Sequence, residues 1–461
     1  MFTDQLRTIL GPGGYLEGDD ISARYSADIT GYSVGQPALV MRPRTAAEVS
    51  QLLKLCHGAG QQVVPQGGMT GLSRGGIPKD GELVLSLERM TDIEEIDTRN
   101  GTMTVQAGAI LQTVQEHAED NGFIFPLDLG ARGSCTIGGN IATNAGGNRV
   151  LRYGMMRELT LGLEVVLADG TVMTGLNRVV KNNAGYDLKH LFIGSEGTLG
   201  IVTRAVLKLF PIPKSQCVAF CASDSFDSVI ELLHFAKAKL GASLSAFEVM
   251  WQSYYDRVQA ARPNLKLPLT GDYPYYVLIE TSGGDEELDS RLLEGALEIA
   301  LEDQLVADAV FTKSKAQVDA FWEVRDISME VAATLQPYHG YDVSIPLSGM
   351  QSFVAALEGA VAGDWPDATL VMIGHLGDGN LHLCINLGAP PAQPPSQTID
   401  EVVYTITGRH IGSISAEHGI GLLKRDYLRF SRTEAERSLM GTLKEVMDPQ
   451  GILNPGRVVR G

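Results

Sequence analysis

In the first 210 residues the apolar positions fall in short alternating or continuous runs, the mark of strands, with brief helical stretches between them. Residues 39–41 read as a strand ended by Pro43. Thr45, with Glu48 three residues on, has the spacing of a capping box and starts a helix that runs to Gly58. Strands follow at 62–65, 83–87 and 103–106, and a helix at 110–121. Residues 163–167 and 171–174 flank Asp169-Gly170, a hairpin signal. Phe210-Pro211-Ile212-Pro213 marks a boundary. Beyond it the period lengthens to that of amphipathic helices at 224–240 and 286–302, with strands at 275–280 and 308–311. The pattern predicts an α+β chain in three parts: 1–212, 213–410, and a C-terminal segment 411–461 carrying a polar helix at 433–447. Residues 389–397, APPAQPPSQ, predict a Pro-rich loop.

One run stands apart. GHLGDGNLHLCIN, residues 374–386, centres on Asp378-Gly379, a type I′ turn signal because that turn needs φ > 0 at both central residues. Counting outward from such a turn opposes Gly377 to Asn380, Leu376 to Leu381 and His375 to His382. Opposed residues share one sheet face, with Cβ atoms about 4.5–5.5 Å apart. Two imidazoles held like that are two thirds of a metal site. Ser415-Ala416-Glu417-His418-Gly419 offers an acid and an imidazole side by side for the third place. A His₂Glu set with an open position is a catalytic zinc arrangement. The bland alternative is a polar hairpin whose histidines merely hydrogen-bond. The metal expectation leads, because three of only nine His in the chain fall in these two stretches.

Composition narrows the class. At 461 residues the chain exceeds a single core, and roughly two to four domains are expected. Hydrophobic residues make up 44% and charged residues 20%, an ordinary balance for a soluble protein. A net charge of −18 argues against nucleic-acid and anionic-membrane partners. It also means that a small anionic substrate needs a local basic clamp. The five Cys (56, 135, 217, 221 and 384) form no CxxC pair, which fits reduced thiols in a cytoplasmic compartment. The start, MFTDQLRTIL, lacks the basic region and long apolar core of a secretory signal. No run approaches the ~18 apolar residues of a transmembrane span.

The chain holds 52 Gly and no low-complexity tract, so glycine marks turns and close backbone approaches. Neither GxGxxG after a strand nor GxxxxGK[ST] is present, which removes the usual Rossmann and P-loop fingerprints. Three other loops stand in their place: QGGMTGLSRGG at 66–76, GSCTIGGNIATNAGGN at 133–148 and GSEGTLG at 194–200. Each presents backbone N–H groups with few side chains in the way, as a pyrophosphate requires. A single such loop is more often a plain turn; three within one 210-residue region point to a phosphate-bearing cofactor.

In order along the chain come Pro65-Gln66-Gly67-Gly68-Met69-Thr70-Gly71-Leu72, Thr136-Ile137-Gly138-Gly139-Asn140, Asn144-Ala145-Gly146-Gly147, Lys181-Asn182-Asn183-Ala184-Gly185-Tyr186-Asp187-Leu188, and Gly194-Ser195-Glu196-Gly197-Thr198-Leu199-Gly200. The histidine hairpin, Glu417-His418-Gly419 and Asn454-Pro455-Gly456 follow. This series resembles the FAD-linked 2-hydroxy-acid dehydrogenases of the vanillyl-alcohol-oxidase, or PCMH-type, flavin fold. That family includes D-lactate dehydrogenase, D-2-hydroxyglutarate dehydrogenase and the flavin subunit of glycolate oxidase. The resemblance spans nearly the whole chain.

The resemblance implies an FAD-binding domain, an α+β substrate domain and a C-terminal segment returning to the flavin. The loop from Pro65 and Gln66 to Leu72 would wrap the FAD pyrophosphate. Gly133, Ser134, Thr136, Gly138, Gly139, Asn140, Thr143, Asn144, Gly146 and Gly147 would line the phosphates and the flavin. Glu196, Gly197 and Ile201 would sit by the adenosine half, and Asn454 would close over the flavin. Covalently flavinylated relatives carry a linking His where this chain has Met69, so FAD is expected to be non-covalent. His375, His382 and Glu417 would hold Zn²⁺, or Mn²⁺ or Co²⁺. His418 would take the proton of the substrate hydroxyl, and Arg325 would clamp its carboxylate as a planar fork. The reaction implied is oxidation of a D-2-hydroxy acid to the 2-oxo acid, with hydride passing to the flavin. The chain has no iron–sulfur cysteine pattern, so electrons would leave to an electron-transfer flavoprotein or a quinone-linked acceptor. A homodimer is expected.

The sequence departs from the family at the substrate's tail. Enzymes for 2-hydroxyglutarate hold the distal carboxylate with a Thr four and a Lys fifteen residues after the Arg, and with an Asn two after the second hairpin His. Here those positions are Met329, Gly340 and Cys384. A shorter or more apolar acid, such as D-lactate, is therefore expected over D-2-hydroxyglutarate or D-malate. Tyr338, His339 and Tyr341 lie nearby in sequence and could meet something polar. Two rival readings are a flavin subunit of a glycolate-oxidase-type complex, and a zinc hydrolase with purely structural glycine loops.

Overall fold

The computed structural model describes residues 2–389 and 397–460. Most of the Pro-rich run at 389–397 lies outside the described residues. The chain divides into two compact units, one of residues 1–147, 154–212 and 417–461, the other of residues 148–153 and 213–416.

The first unit contains two main sheets. One is four-stranded, in the order Tyr15–Leu16, Val40–Met41, Leu83–Ser86, Val63–Gln66, and its last three strands are parallel. The other is five-stranded and antiparallel, in the order Ile93–Asp97, Thr102–Gln106, Ile201–Lys208, Thr160–Val166, Val172–Gly175. Helix Ala46–Ala59 starts where Thr45 accepts from Glu48 N and stops at Gly60, φ 62°. The expected reciprocal cap is displaced by one residue: the Glu48 carboxylate accepts from Arg44 N rather than Thr45 N. The C-terminal tail adds to the edge of strand Val63–Gln66. Val63 N donates to Ile452 O, and Asn454 N donates to Val63 O.

The second unit is built on a seven-stranded antiparallel sheet. Its order is Asp308–Phe311, Ser215–Ser223, Tyr275–Gly283, Leu244–Trp251, Thr369–His375, Asn380–Asn386, His339–Ser344. Alternate residues cover one face with apolar groups: Phe220, Ala222, Ala246, Met250, Tyr276, Leu278, Val371 and Ile373. Tyr254, Tyr255 and Val258 of helix Gln252–Ala261, and Val318 and Trp322 of helix Lys315–Asp326, complete that core. Helices Phe226–Leu240 and Glu286–Glu302 also pack on this sheet.

The hairpin register differs from the one the turn signal predicts. Ile373, not His375, opposes His382. The connection is the four residues Leu376 to Gly379, where Asp378 N donates to His375 O and Gly379 N to Leu376 O. Gly379 alone among these four has positive φ, 82°. Two contacts decide this. The Asp378 carboxylate accepts from Asn380 N, so Asp378 makes a local Asx turn instead of going left-handed. Gly379 O accepts from Ile345 N at the end of the neighbouring strand. The register moves by two residues, and side chains alternate with period two, so both histidines keep the same face. They are diagonal rather than opposed neighbours.

Candidate functional site

In the first unit the glycine loops press on one another through bare backbone. A Cβ on Gly67 would lie 2.4 Å from Thr136 Oγ1, and one on Gly68 only 2.0 Å from Ser134 O. The 66–72 loop therefore needs glycine to lie against the 133–147 loop. Met69, φ 56°, turns the chain within the 66–72 loop. Thr136 accepts from Gly139 N and opens the short helix Ile137–Thr143, which ends at Asn144 with φ 49°. Gln66 donates its Nε2 to Tyr25 O and Gly76 O, while its buried Oε1 has no donor.

The third loop and the C-terminal segment meet in the same unit. The Glu196 carboxylate accepts from Ile420 N at 2.6 Å and Gly421 N at 2.8 Å. Burial pushes its carboxyl above the usual range, and those two amides offset part of the rise. Asn454 donates to Gly75 O and Glu196 O, and its buried Oδ1 likewise has no donor. Gly197, φ 70°, leaves no room for a Cβ beside Pro65, and Ile201 begins the central strand of the five-stranded sheet. Glu417 Oε1 accepts from Gly147 N at 2.8 Å, and His418 O accepts from Ser73 Oγ. The cradle of amides without side chains, with two orphaned buried acceptors at Gln66 and Asn454, fits a phosphate-bearing ligand that also offers N–H or O–H donors. FAD is such a ligand.

In the second unit a polar row crosses the otherwise apolar sheet face. Glu248 opposes His375 across one strand pair, and Asp342 opposes His382 across another. The His375 and His382 rings lie 5.3 Å apart, near perpendicular at 85°. Glu248 Oε1 lies 2.8 Å from His375 Nδ1, and Glu248 Oε2 accepts from Arg325 Nε at 2.8 Å. Burial would raise the Glu248 carboxyl, but the adjacent His375 and Arg325 outweigh it and hold it below the usual range. Arg325 is 8% exposed and so is not on the surface, although Asp326 also lies 3.9 Å from its Nη1.

Helix Lys315–Asp326 explains how two acids are served at once. Trp322 and Arg325 are three residues apart and share one helix face. Trp322 Nε1 donates to Glu280 and Arg325 Nε to Glu248, on neighbouring strands. Tyr254 donates its hydroxyl to Val324 O and Arg325 O, which fixes the helix end. Glu280 also accepts from Arg149, Gln216 and Ser245.

One rung beyond the Asp342–His382 pair, Gly340 opposes Cys384 on the same face. A Cβ on Gly340 would meet only the Tyr338 ring, at 3.4 Å, so a side chain has room there. Burial pushes the Cys384 thiol up to about 11, which keeps it neutral. Met329, on helix Ser328–Ala333, is exposed.

Glu248, Glu280 and Asp342 escaped the sequence reading. A signal was present: each is the sole acid in a strand of largely apolar or small residues, LSAFEVMW, YYVLIETSG and HGYDVS. A buried carboxylate needs a partner, so a lone acid at a core position marks one. Among the described residues no helix is long and apolar enough to cross a membrane.

Comparison with known proteins agrees with this architecture. Residues 37–175 match a family described as an FAD binding domain, and residues 212–458 match FAD linked oxidases, C-terminal domain. The chain is 42% identical over 455 residues to a protein of Oryza sativa subsp. indica named probable D-2-hydroxyglutarate dehydrogenase, mitochondrial, covering 98% of this chain and 80% of that one. It is 40% identical over 440 residues to D-2-hydroxyglutarate dehydrogenase of Xanthomonas citri pv. viticola, covering 94% and 92%. Among solved structures, p-cresol methylhydroxylase with substrate bound superposes with a TM-score of 0.76 at 15% identity, covering 100% of this chain and 96% of that one. This likeness concerns the fold. The chain belongs to the FAD-linked D-2-hydroxy-acid dehydrogenases, flavin-dependent oxidoreductases with a PCMH-type FAD-binding domain.

Proposed function

We propose that this FAD-linked dehydrogenase oxidises a short D-2-hydroxy acid, with D-lactate as the prototype, to the corresponding 2-oxo acid. FAD supplies the hydride acceptor, and a divalent ion such as Zn²⁺ supplies a Lewis acid that makes the substrate hydroxyl more acidic. The observation that carries the substrate class is the Gly340–Cys384 rung. It lies two residues along the sheet from His382, roughly 7 Å at strand rise, and offers neither charge nor amide. Met329 adds none. A second carboxylate on the substrate would meet no cation there.

His375 and His382 share one face and fit a divalent ion, with Glu417 as the third ligand of the reading. His418 takes the hydroxyl proton. Arg325 gives Nε to Glu248, holds Nη2 against the His375 ring, and would clamp the substrate carboxylate with its guanidinium. Met69 cannot form the histidyl link, so the flavin is held by contacts alone. Electrons leave to an electron-transfer flavoprotein or a quinone-linked protein.

The names of the relatives favour a second reading, D-2-hydroxyglutarate as substrate. A substrate panel with an artificial dye acceptor separates the two. D-lactate and its small homologues should exceed D-2-hydroxyglutarate in kcat/KM; a preference for the dicarboxylate sinks the first reading. Acid denaturation should release all the flavin into the supernatant, and yellow colour left on the precipitate would contradict a non-covalent cofactor.

A further inference from the structure

Three elements of the second unit converge on one carboxylate. Glu248 stands mid-strand at 1% exposure. Its two oxygens are divided, one to His375 Nδ1 and the other to Arg325 Nε, each at 2.8 Å. Each Glu248 oxygen faces one nitrogen and accepts from it, so each contact assigns a hydrogen: His375 carries a proton on Nδ1, and Arg325 donates from Nε. With that tautomer, the imidazole's lone pair is on Nε2. Arg325 Nη2 lies 2.9 Å from that nitrogen and 3.3 Å from Nδ1, against the imidazole rather than along its lone pair. The same lone pair is the one a metal takes. Fixing Nε of Arg325 likewise fixes the plane of its guanidinium, because the group is rigid.

We propose that Glu248 is the positioning residue for both arms of the site, setting the tautomer of the metal ligand His375 and the orientation of the carboxylate clamp Arg325. This rests on the function proposed above. A single carboxylate thereby couples metal retention to substrate affinity. Outer partners of metal-ligating histidines act in this way when they fix tautomer and ring orientation, and their loss weakens metal binding about 10–100-fold.

The molecule carries its own control. Glu280 is equally buried on the same sheet face and is served by Arg149, Gln216, Ser245 and Trp322, none of them a proposed ligand or clamp. Glu248→Gln and Glu280→Gln therefore make the same chemical change, one at the strut and one at a purely structural acid.

Zinc affinity would be measured by chelator competition on flavin-loaded wild type and both variants, followed by steady-state kinetics on D-lactate at saturating zinc. Glu248→Gln should keep the wild-type flavin spectrum and lose about 10–100-fold in zinc affinity. Its KM should stay raised several-fold after zinc is restored, because the Arg325 arm is not repaired by metal. Glu280→Gln should match wild type in both zinc affinity and KM. Wild-type zinc affinity and KM in Glu248→Gln would overturn the proposal, as would equal losses in both variants. If Glu248→Gln does not fold, Glu248→Asp keeps the charge but withdraws it by one methylene, and must still show weakened zinc and raised KM. Wild type that binds no zinc and turns over in chelator overturns the metal reading itself, and the His375 arm with it; that result is read before any variant is compared.

Discussion

Both units bury ion pairs, and they use them differently. In the first unit Arg457 pairs with Glu82 through both terminal nitrogens, which also donate to Ile77 O and Pro455 O. Lys444 pairs with Asp448 and donates to Thr198 O and Leu453 O. Those cations end in backbone carbonyls, and they staple the C-terminal segment to the body of its unit. In the second unit Arg325 gives its acid Nε alone and directs a terminal nitrogen at an imidazole. The same chemistry thus closes a structure in one place and orders a row of buried polar side chains in the other. A buried pair is weak evidence of stability by itself; what matters is where the remaining hydrogen bonds go.

The largest test of this contrast removes the reactive end. His382→Ala should lose bound metal and reduce turnover on the order of 10³-fold or more, while the flavin spectrum stays as in wild type. Chelation should do the same and be reversed by zinc, manganese or cobalt. Full turnover in protein shown to be metal-free would abolish the distinction between the units.

Breaking the staple should do the opposite. Arg457→Met leaves Glu82 buried without its cation, at a cost of about 3–5 kcal/mol in unfolding free energy. Denaturant unfolding should show the loss together with reduced flavin retention, and Arg457→Met/Glu82→Leu should recover most of it. A variant that binds flavin normally and unfolds at the wild-type midpoint would show that the pair is not a staple.

Arg325→Lys keeps the charge and loses the fork. A charge-assisted hydrogen bond contributes about 1.5–3 kcal/mol, so KM should rise roughly 10–100-fold with flavin content unchanged. Unaltered steady-state kinetics would place Arg325 with the structural cations of the first unit. The smallest effect is expected from Gly340→Lys, which restores a cation where the sheet has room for one. The ratio of kcat/KM for D-2-hydroxyglutarate over D-lactate should rise about tenfold, or about 1.4 kcal/mol. No change in that ratio would mean that the substrate's tail does not cross this rung.

The two units were also unequally legible. The helices at 46–59 and 286–302 and the hairpin around Asp169-Gly170 were readable, because capping residues, helical period and turn residues are local. The glycine loops were readable as places of close backbone approach, because such approach demands glycine, as at Gly67 and Gly68. The second unit yielded its histidines and Arg325 by motif, while Glu248, lying 127 residues from His375, was overlooked. No local rule pairs residues so far apart.

By itself the sequence determined which residue types were available and which stretches could bend. It supplied the bare glycine loops, the histidine hairpin, Met69 and Gly340. Only the tertiary structure decided who faces whom. Asp378 turned its carboxylate to Asn380 N and Gly379 gave its carbonyl to Ile345 N, and the hairpin register moved by two. The histidines kept a common face because strand side chains alternate with period two, which is a property of the sequence. Their acids, Glu248 and Asp342, came from flanking strands, and strand order is set by the packing of the whole sheet.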